Sequence, residues 1–265
     1  HADIFADLAA IQTQFHHLVR TVPGNGLIIS NAADHNLDAV LERACWTAVD
    51  QVALQAGGGC WVGRKLADDG SRFDVILDGQ RVGTVNWGQL GEHSMHNALA
   101  AIAAARHAGV PVAEAIAALT EFRGVKRRME VRGEVKGITL YDDFAHHPTA
   151  IATTLQGLRR RVGDARILLV MEPRSNTMRL GVHRDSLANS MRAADAIWLH
   201  QPADIEWSLN DAMSSTEVPV SIEDSVQAIA ASVVQQARPG DHILIMSNGA
   251  FGGIHEKLIK ALQAG

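Results

Sequence analysis

The stretch Gly137-Ile138-Thr139-Leu140-Tyr141-Asp142-Asp143-Phe144-Ala145-His146-His147-Pro148 decides the fold. Its first five residues read as a buried strand, and Pro148 suits the first position of a helix, where a missing N–H costs nothing. Two carboxylates, an aromatic ring and two imidazoles thus fall between a strand and a helix, with Asp143 at the strand's carboxyl end. Open α/β sheets bind their ligands at that edge. Downstream, apolar runs at Arg166–Met171, Ala196–Leu199 and His242–Met246, and a weaker one at Val218–Ile222, alternate with helical patterns near 148–161, 185–194, 225–237 and 253–263. Such alternation predicts a mostly parallel sheet covered on both faces, a doubly wound, Rossmann-like unit without a Gly-x-Gly-x-x-Gly fingerprint.

Upstream the pattern differs. Ile4, Phe5, Leu8, Ile11, Phe15 and Leu18 recur at helical spacing within residues 1–20, and Pro23-Gly24-Asn25-Gly26 ends that helix before a strand at Leu27-Ile28-Ile29. Between Cys60 and Trp87, the runs Phe73–Leu77 and Arg81–Val85 flank Asp78-Gly79, a hairpin turn signal, and imply a small antiparallel sheet. An Ala-rich helix from His96 to Ala108 stops at Gly109 with Pro111 beyond, and a second runs from Val112 to Leu119. The polar, basic stretch Gly124-Val125-Lys126-Arg127-Arg128 then marks a boundary, giving an α/β domain over 1–123 and a second over 124–265.

Composition narrows the function. At 265 residues, 47% of them hydrophobic, the chain can bury two modest cores. A formal net charge of −5 argues against a general nucleic-acid binder, so anionic ligands would need local positive charge. Cys45 and Cys60 have no metal-ligand spacing and support neither a disulfide framework nor a zinc knuckle, which makes the reducing cytoplasm the default setting. The longest apolar tract, Ala98 to Leu119, is interrupted by Arg106, His107, Pro111 and Glu114 and cannot be a membrane span, so no membrane partner is expected.

The Asp142–Pro148 cluster resembles the Asp-Asp-Tyr-Gly-His-His-Pro signature of the Mur ligases, the ATP-dependent amide-forming enzymes of bacterial cell-wall synthesis, with Phe144 for the Tyr and Ala145 for the Gly. His1-Ala2-Asp3, Gly91-Glu92-His93-Ser94-Met95-His96-Asn97 and Arg127-Arg128-Met129-Glu130 match in the family's order. Phe15-His16-His17-Leu18-Val19-Arg20, Glu172-Pro173-Arg174-Ser175-Asn176-Thr177-Met178 and the run from Met246 to His255 are similar to the family's peptidoglycan-recycling branch. That branch joins UDP-N-acetylmuramate to the murein tripeptide L-alanyl-γ-D-glutamyl-meso-diaminopimelate. The resemblance covers essentially the whole chain and implies the second half of a central ATPase domain (1–123) followed by a peptide-binding domain (124–265), with ATP and Mg2+ as cofactors. The muramate carboxylate would attack the γ-phosphate, and the tripeptide amine would displace the resulting acyl phosphate.

Residue by residue, the resemblance gives His1 to the magnesium site, His93 and Asn97 to adenine, Asp143 to the ribose hydroxyls and Phe144 to stacking on the base. Arg128 would reach the ATP phosphates, for which a guanidinium fork is well suited, and His146 would face the reacting carboxylate or phosphate. Arg174 would grip a peptide carboxylate, Ser175 and Asn176 would fix amide groups, and Met178 would complete that loop. The turn at Asn248 and Gly249 would offer backbone N–H groups to an anionic substrate.

Plainer readings stand beside these. Ser94 and Asn97 could cap the helix; Lys126, Arg127 and Arg132, the neighbours of Arg128, could be a solvated basic face; 174–178 could be a polar loop; and 248–253 could be only a tight strand-to-helix turn. Gly58-Gly59-Cys60-Trp61-Val62-Gly63-Arg64-Lys65-Leu66 has the glycine spacing of a Walker loop, but Arg64 stands where Lys is needed and a hairpin follows, so it reads as a decoy. The chain is therefore expected to be a C-terminal part of such a ligase, inactive in isolation. The rivals are an L-alanine-adding ligase, a non-catalytic nucleotide- or peptide-binding module, and a metal-dependent hydrolase built on Asp142, Asp143 and His146.

Overall fold

A computed structural model of the chain describes residues 3–55, 57–201, 205 and 207–264. The chain divides into two compact units, His1–Arg123 and Gly124–Gly265.

The first unit contains α1 (Leu8–Val19), β1 (Leu27–Asn31), α2 (His35–Leu41), β2 (Ala48–Ala53), β3 (Trp61–Lys65), β4 (Arg72–Leu77), β5 (Gln80–Asn86), α3 (Glu92–His107) and α4 (Val112–Glu121). Its strands form one sheet in chain order, β1-β2-β3-β4-β5. β1, β2 and β3 pair in parallel, and β3, β4 and β5 pair antiparallel. The expected small antiparallel sheet is therefore not separate: its strands extend a parallel pair. β2 was hidden because Asp50 and Gln51 break its apolar run.

The β4–β5 hairpin turns on Asp78 (φ 49°) and Gly79 (φ 81°), with Leu77 paired to Gln80. Two left-handed residues in a two-residue loop match the right-handed strand twist, which is why Asp-Gly favours it. Trp61, Phe73, Val75 and Val85 pack from the sheet against Met95, Leu99 and Ile102 of α3 and Ile116 of α4. α1 follows the expected spacing, yet the face it marks is exposed: Leu8, Phe15 and Leu18 are each about half or more accessible, and only Val19 of this helix is buried.

The second unit contains β6 (Glu130–Val135), β7 (Ile138–Asp143), α5 (Pro148–Val162), β8 (Ile167–Met171), α6 (Asn176–Arg179), α7 (Arg184–Ser190), β9 (Ala196–His200), α8 (Leu209–Met213), β10 (Val220–Glu223), α9 (Val226–Gln236), β11 (His242–Met246) and α10 (Ile254–Ala264). Strand order is β10-β9-β8-β11-β7-β6, parallel except for the antiparallel edge strand β6. This is the doubly wound sheet predicted from the sequence. One core packs Ile151, Leu155 and Leu158 of α5 with Leu187 of α7 and Leu209 of α8 against Leu169, Met171 and Leu244. The other packs Ile229 and Val233 of α9 with Ile254 and Leu258 of α10 against Leu140, Val170 and Ile243.

That division fixes the site. β11 lies between β7 and β8. The chain leaves β7 and β8 toward helices of the first core, but leaves β11 toward α10 in the second. The loops flanking β11 thus diverge to opposite faces and open a crevice at the carboxyl edge, the switch point at which doubly wound sheets hold ligands.

Candidate functional site

Successive residues of β7 point to opposite faces, so Asp142 and Asp143 have different surroundings. Asp143 is 3% exposed and accepts two backbone N–H bonds, from Met129 at Oδ2 and Ala145 at Oδ1, each 2.8 Å. It ties the turn before β6 to the loop after β7. Asp142 is also buried and faces His255 of α10, whose Nε2 lies 3.3 Å from Asp142 Oδ1 without an aligned hydrogen bond. Burial pushes its pKa up, but His255, Arg127 and Arg132 outweigh that and hold the carboxyl below its ordinary value. Two diverging carboxylates do not make the shared ion site that a hydrolase built on Asp142, Asp143 and His146 requires, and no group of three possible ligands occurs among the described residues.

Phe144 is half-buried and held by its surroundings. Its N–H donates to Arg127 O (2.8 Å), and the guanidinium carbons of Arg127 and Arg128 lie 5.0 and 5.3 Å from the ring centroid. His146 meets the ring edge-on at 5.5 Å, and its Nδ1 lies 3.1 Å from Phe144 O. A carbonyl only accepts, so Nδ1 carries the proton and a neutral ring has its lone pair on Nε2. His147 caps α5, with Nδ1 accepting from Thr149 N–H (3.2 Å), and its ring lies 4.4 Å from that of His183.

Opposite stands the loop after β11. Ser247 Oγ donates to Glu172 Oε2 (2.6 Å) and accepts from Gly249 N–H (2.9 Å). Arg127 Nη2 donates to Ser247 O (2.5 Å) and Gly249 O (2.8 Å). A side chain at Gly249 would displace Arg174: a Cβ there would sit 2.4 Å from its Nη1. Beyond it, Phe251 (φ 43°), Gly252 (φ 53°) and Gly253 (φ 70°) are all left-handed, the sharp bend that turns the chain into α10.

Several sequence expectations change here. The Gly249 N–H, expected to face an anion, is spent inside the loop; the contribution of this glycine is the space it leaves to Arg174. Met178, expected at the substrate, is fully buried in the first core. Ser175 caps α6 through Met178 N–H (3.3 Å), and Asn176 is exposed at the start of that helix. Arg174 is exposed, and among the described residues no carboxylate pairs with it. Asn248 Oδ1 is buried and has no hydrogen-bond partner among the described residues. Arg127, read as part of a basic face, is the side chain that joins the two loops. The run of three adjacent basic residues gave no signal as to which one would turn inward.

In the first unit, His93 and Asn97 lie one turn apart on the exposed side of α3, while Met95, Ala98 and Leu99 face the core. The capping alternative fails, because α3 starts at Glu92 with Gly91 (φ 86°) as its N-cap and Ser94 Oγ donates to Leu90 O (2.7 Å). Gly63-Arg64-Lys65 belongs to strand β3, not a loop, and Arg64 pairs with Asp74 at 2.6 Å. His1 lies outside the described residues.

The second unit is a doubly wound α/β domain that gathers arginines at the switch point of its sheet. The chain matches the Mur ligase middle domain over residues 1–105 and the Mur ligase glutamate ligase domain over 127–249, and it belongs to the Mur ligase family. It is 52% identical, over 99% of its length and 57% of the relative's, to the UDP-N-acetylmuramate–L-alanyl-gamma-D-glutamyl-meso-2,6-diaminoheptandioate ligase of Escherichia coli strain K12. The murein peptide ligase structure from Psychrobacter arcticus 273-4 superposes with a TM-score of 0.73 at 43% identity, covering 98% of this chain and 56% of that one. The UDP-N-acetylmuramate–alanine ligase of Thermotoga maritima shares the fold, with a TM-score of 0.78 at 19% identity over 97% of this chain and 56% of that one. The chain therefore spans a little over half the length of these relatives.

Proposed function

We propose that this chain carries adenine-side and tripeptide-side contacts of an ATP-dependent ligase that joins UDP-N-acetylmuramate to L-alanyl-γ-D-glutamyl-meso-diaminopimelate. The observation that carries this reading is the crevice beside β11. There the guanidinium of Arg174, unpaired by any carboxylate among the described residues, lies against Gly249, next in the chain to Asn248, whose Oδ1 has no partner among them. A cation and an acceptor side by side suit a peptide end that presents both carboxylate and amine. Similarity to relatives named for the tripeptide supports the same substrate.

In this reading Arg174 and Asn248 hold the tripeptide, Asn176 lies within reach at the start of α6, and Ser175 acts by capping that helix. Phe144 stacks on adenine and Asp143 meets the ribose hydroxyls. His93 and Asn97 contribute adenine contacts from α3. ATP supplies the phosphoryl group that activates the muramate carboxylate. Arg128, exposed beside Phe144, offsets phosphate charge, and His146 turns Nε2 toward the reacting groups. Mg2+ belongs to the same proposal, with His1 as a ligand; the described residues offer no cluster to hold it. The setting is the cytoplasm, and the 265-residue chain alone is inactive as a ligase.

Isothermal calorimetry of the chain with the tripeptide, and separately with L-alanine, tests the substrate. The tripeptide is expected to bind and L-alanine not to. Arg174→Ala is expected to weaken tripeptide binding by tenfold or more, since a guanidinium–carboxylate contact at a partly wet site is worth about 1.5–3 kcal/mol. Binding of L-alanine alone would move the reading to the L-alanine-adding branch, and no binding of either would overturn it.

A further inference from the structure

We propose that Arg127 is a positioning residue that sets the β11 loop, and with it the peptide contacts, against the Phe144 platform. The inference rests on the peptide-binding reading of the crevice but adds a residue that reading does not use.

Three observations converge on this side chain. First, the turn that carries it is over-determined. Arg127 (φ 59°) and Met129 (φ 50°) are both left-handed without being glycine, a conformation that costs free energy and persists only when neighbours enforce it. The enforcing bonds are all present: Glu130 Oε2 accepts the Arg127 N–H (2.8 Å), Asp143 Oδ2 accepts the Met129 N–H, and Arg127 O accepts the Phe144 N–H. Such a turn brings both adjacent arginines to the Phe144 ring but buries them unequally. Arg127 runs inward and is half-buried, while Arg128 stays exposed.

Second, the inward guanidinium contacts both sides of the crevice. One nitrogen donates to two carbonyls of the β11 loop, Ser247 O and Gly249 O, and the guanidinium carbon lies 5.0 Å from the Phe144 centroid. The planar guanidinium donates from Nη2 to both carbonyls while its body lies over the ring; a Lys ammonium here keeps the charge but has neither the fork nor the reach to hold all three contacts from the same backbone position.

Third, Asp142 explains how the guanidinium is held. Oδ1 of this buried carboxylate lies 3.7 Å from Arg127 Nε and 3.3 Å from His255 Nε2. A buried carboxylate needs a counter-charge, and here the counter-charge is the arginine that pins the loop. The β11 loop is anchored at its ends, by Ser247 N–H on Asp143 O (3.1 Å), Ser247 Oγ on Glu172 and the buried Phe251, whereas at Gly249 the carbonyl is held by Arg127 and three consecutive left-handed residues follow one position on. Without Arg127 the Gly249 carbonyl loses its side-chain donor, and the surface on which Arg174 rests is released.

The test compares Arg127→Lys with wild type in the 265-residue chain, because Arg127→Ala could unfold the turn. Amide hydrogen exchange at 248–252 is expected to accelerate about tenfold or more in Arg127→Lys, with exchange in β8 and β11 unchanged. Tripeptide affinity by calorimetry is expected to fall by about tenfold, the equivalent of one lost charge-assisted hydrogen bond. A structural role alone would move the denaturation midpoint and the exchange of every strand together, and that result overturns the proposal. So does a loop whose exchange matches wild type. If wild type itself fails to bind tripeptide, the peptide reading falls while loop exchange still decides the role of Arg127.

Discussion

At the scale of single residues, the crevice depends on how each polar group is used up. Asp143 shows this best. Both its carboxylate oxygens take backbone N–H groups in a nearly closed environment. Asp143→Ala is therefore expected to destabilise the second unit by roughly 2–4 kcal/mol, because two sheltered donors lose their acceptor, in addition to any loss of nucleotide affinity. Urea unfolding measures it, and an unchanged midpoint would mean water replaces both bonds. Gly249 makes the opposite case. A methyl group there collides with the end of a flexible, exposed side chain, which can move aside. Gly249→Ala is expected to leave stability within about 0.5 kcal/mol of wild type while weakening tripeptide binding, since the cost falls on the placement of Arg174. Calorimetry paired with denaturation separates the two effects.

At the scale of elements, α5 carries a pH dependence at its N-cap. His147 can accept from Thr149 N–H only while Nδ1 is unprotonated. Burial first, then the neighbouring His183 and His146, push its pKa below 6.5, and burial lowers that of His183 as well. The unfolded chain then binds protons more readily than the native one. Stability is complete above about 6.5 and falls as pH drops through the lowered native values. His147→Asn keeps a good cap without titrating, so its urea midpoint is expected to depend less on pH between 7.5 and 5 than that of wild type. Equal slopes would assign the dependence to other groups. What the sequence revealed at this scale follows from burial. His242–Met246 and Ile138–Tyr141 are central strands buried on both faces, so they read as mostly apolar runs, with Thr139 and His242 only partly buried. β6 escaped notice because it is an edge strand with Glu130, Arg132 and Glu134 alternating along it and a register shift before Gly133. Strand ends located the crevice; which side chains point into it depends on tertiary packing. Met178 and Arg174 share a loop and go to opposite environments for that reason.

At the scale of the whole molecule, a chain of net charge −5 gathers Arg127, Arg128 and Arg174 around one crevice, the local positive charge an anionic ligand requires. Binding and turnover make different demands. Phosphoryl transfer needs donors and a metal fixed on the γ-phosphate, where one well-placed arginine alone is worth about 10³–10⁵ in rate. The one Walker-like stretch here cannot serve, because Gly63-Arg64-Lys65 is extended within β3 and Arg64 is engaged by Asp74, whose carboxyl Arg64, Arg81 and Thr84 together hold well below its usual range. The 265-residue chain is accordingly expected to bind tripeptide yet release no ADP when given ATP, Mg2+, UDP-N-acetylmuramate and tripeptide together. A coupled ADP assay alongside calorimetry on the same preparation checks both halves. Tripeptide-dependent ADP release would show that the phosphate is held by residues other than a Walker loop, and the search would begin at Arg128 and His146, the groups of this crevice best placed to meet it.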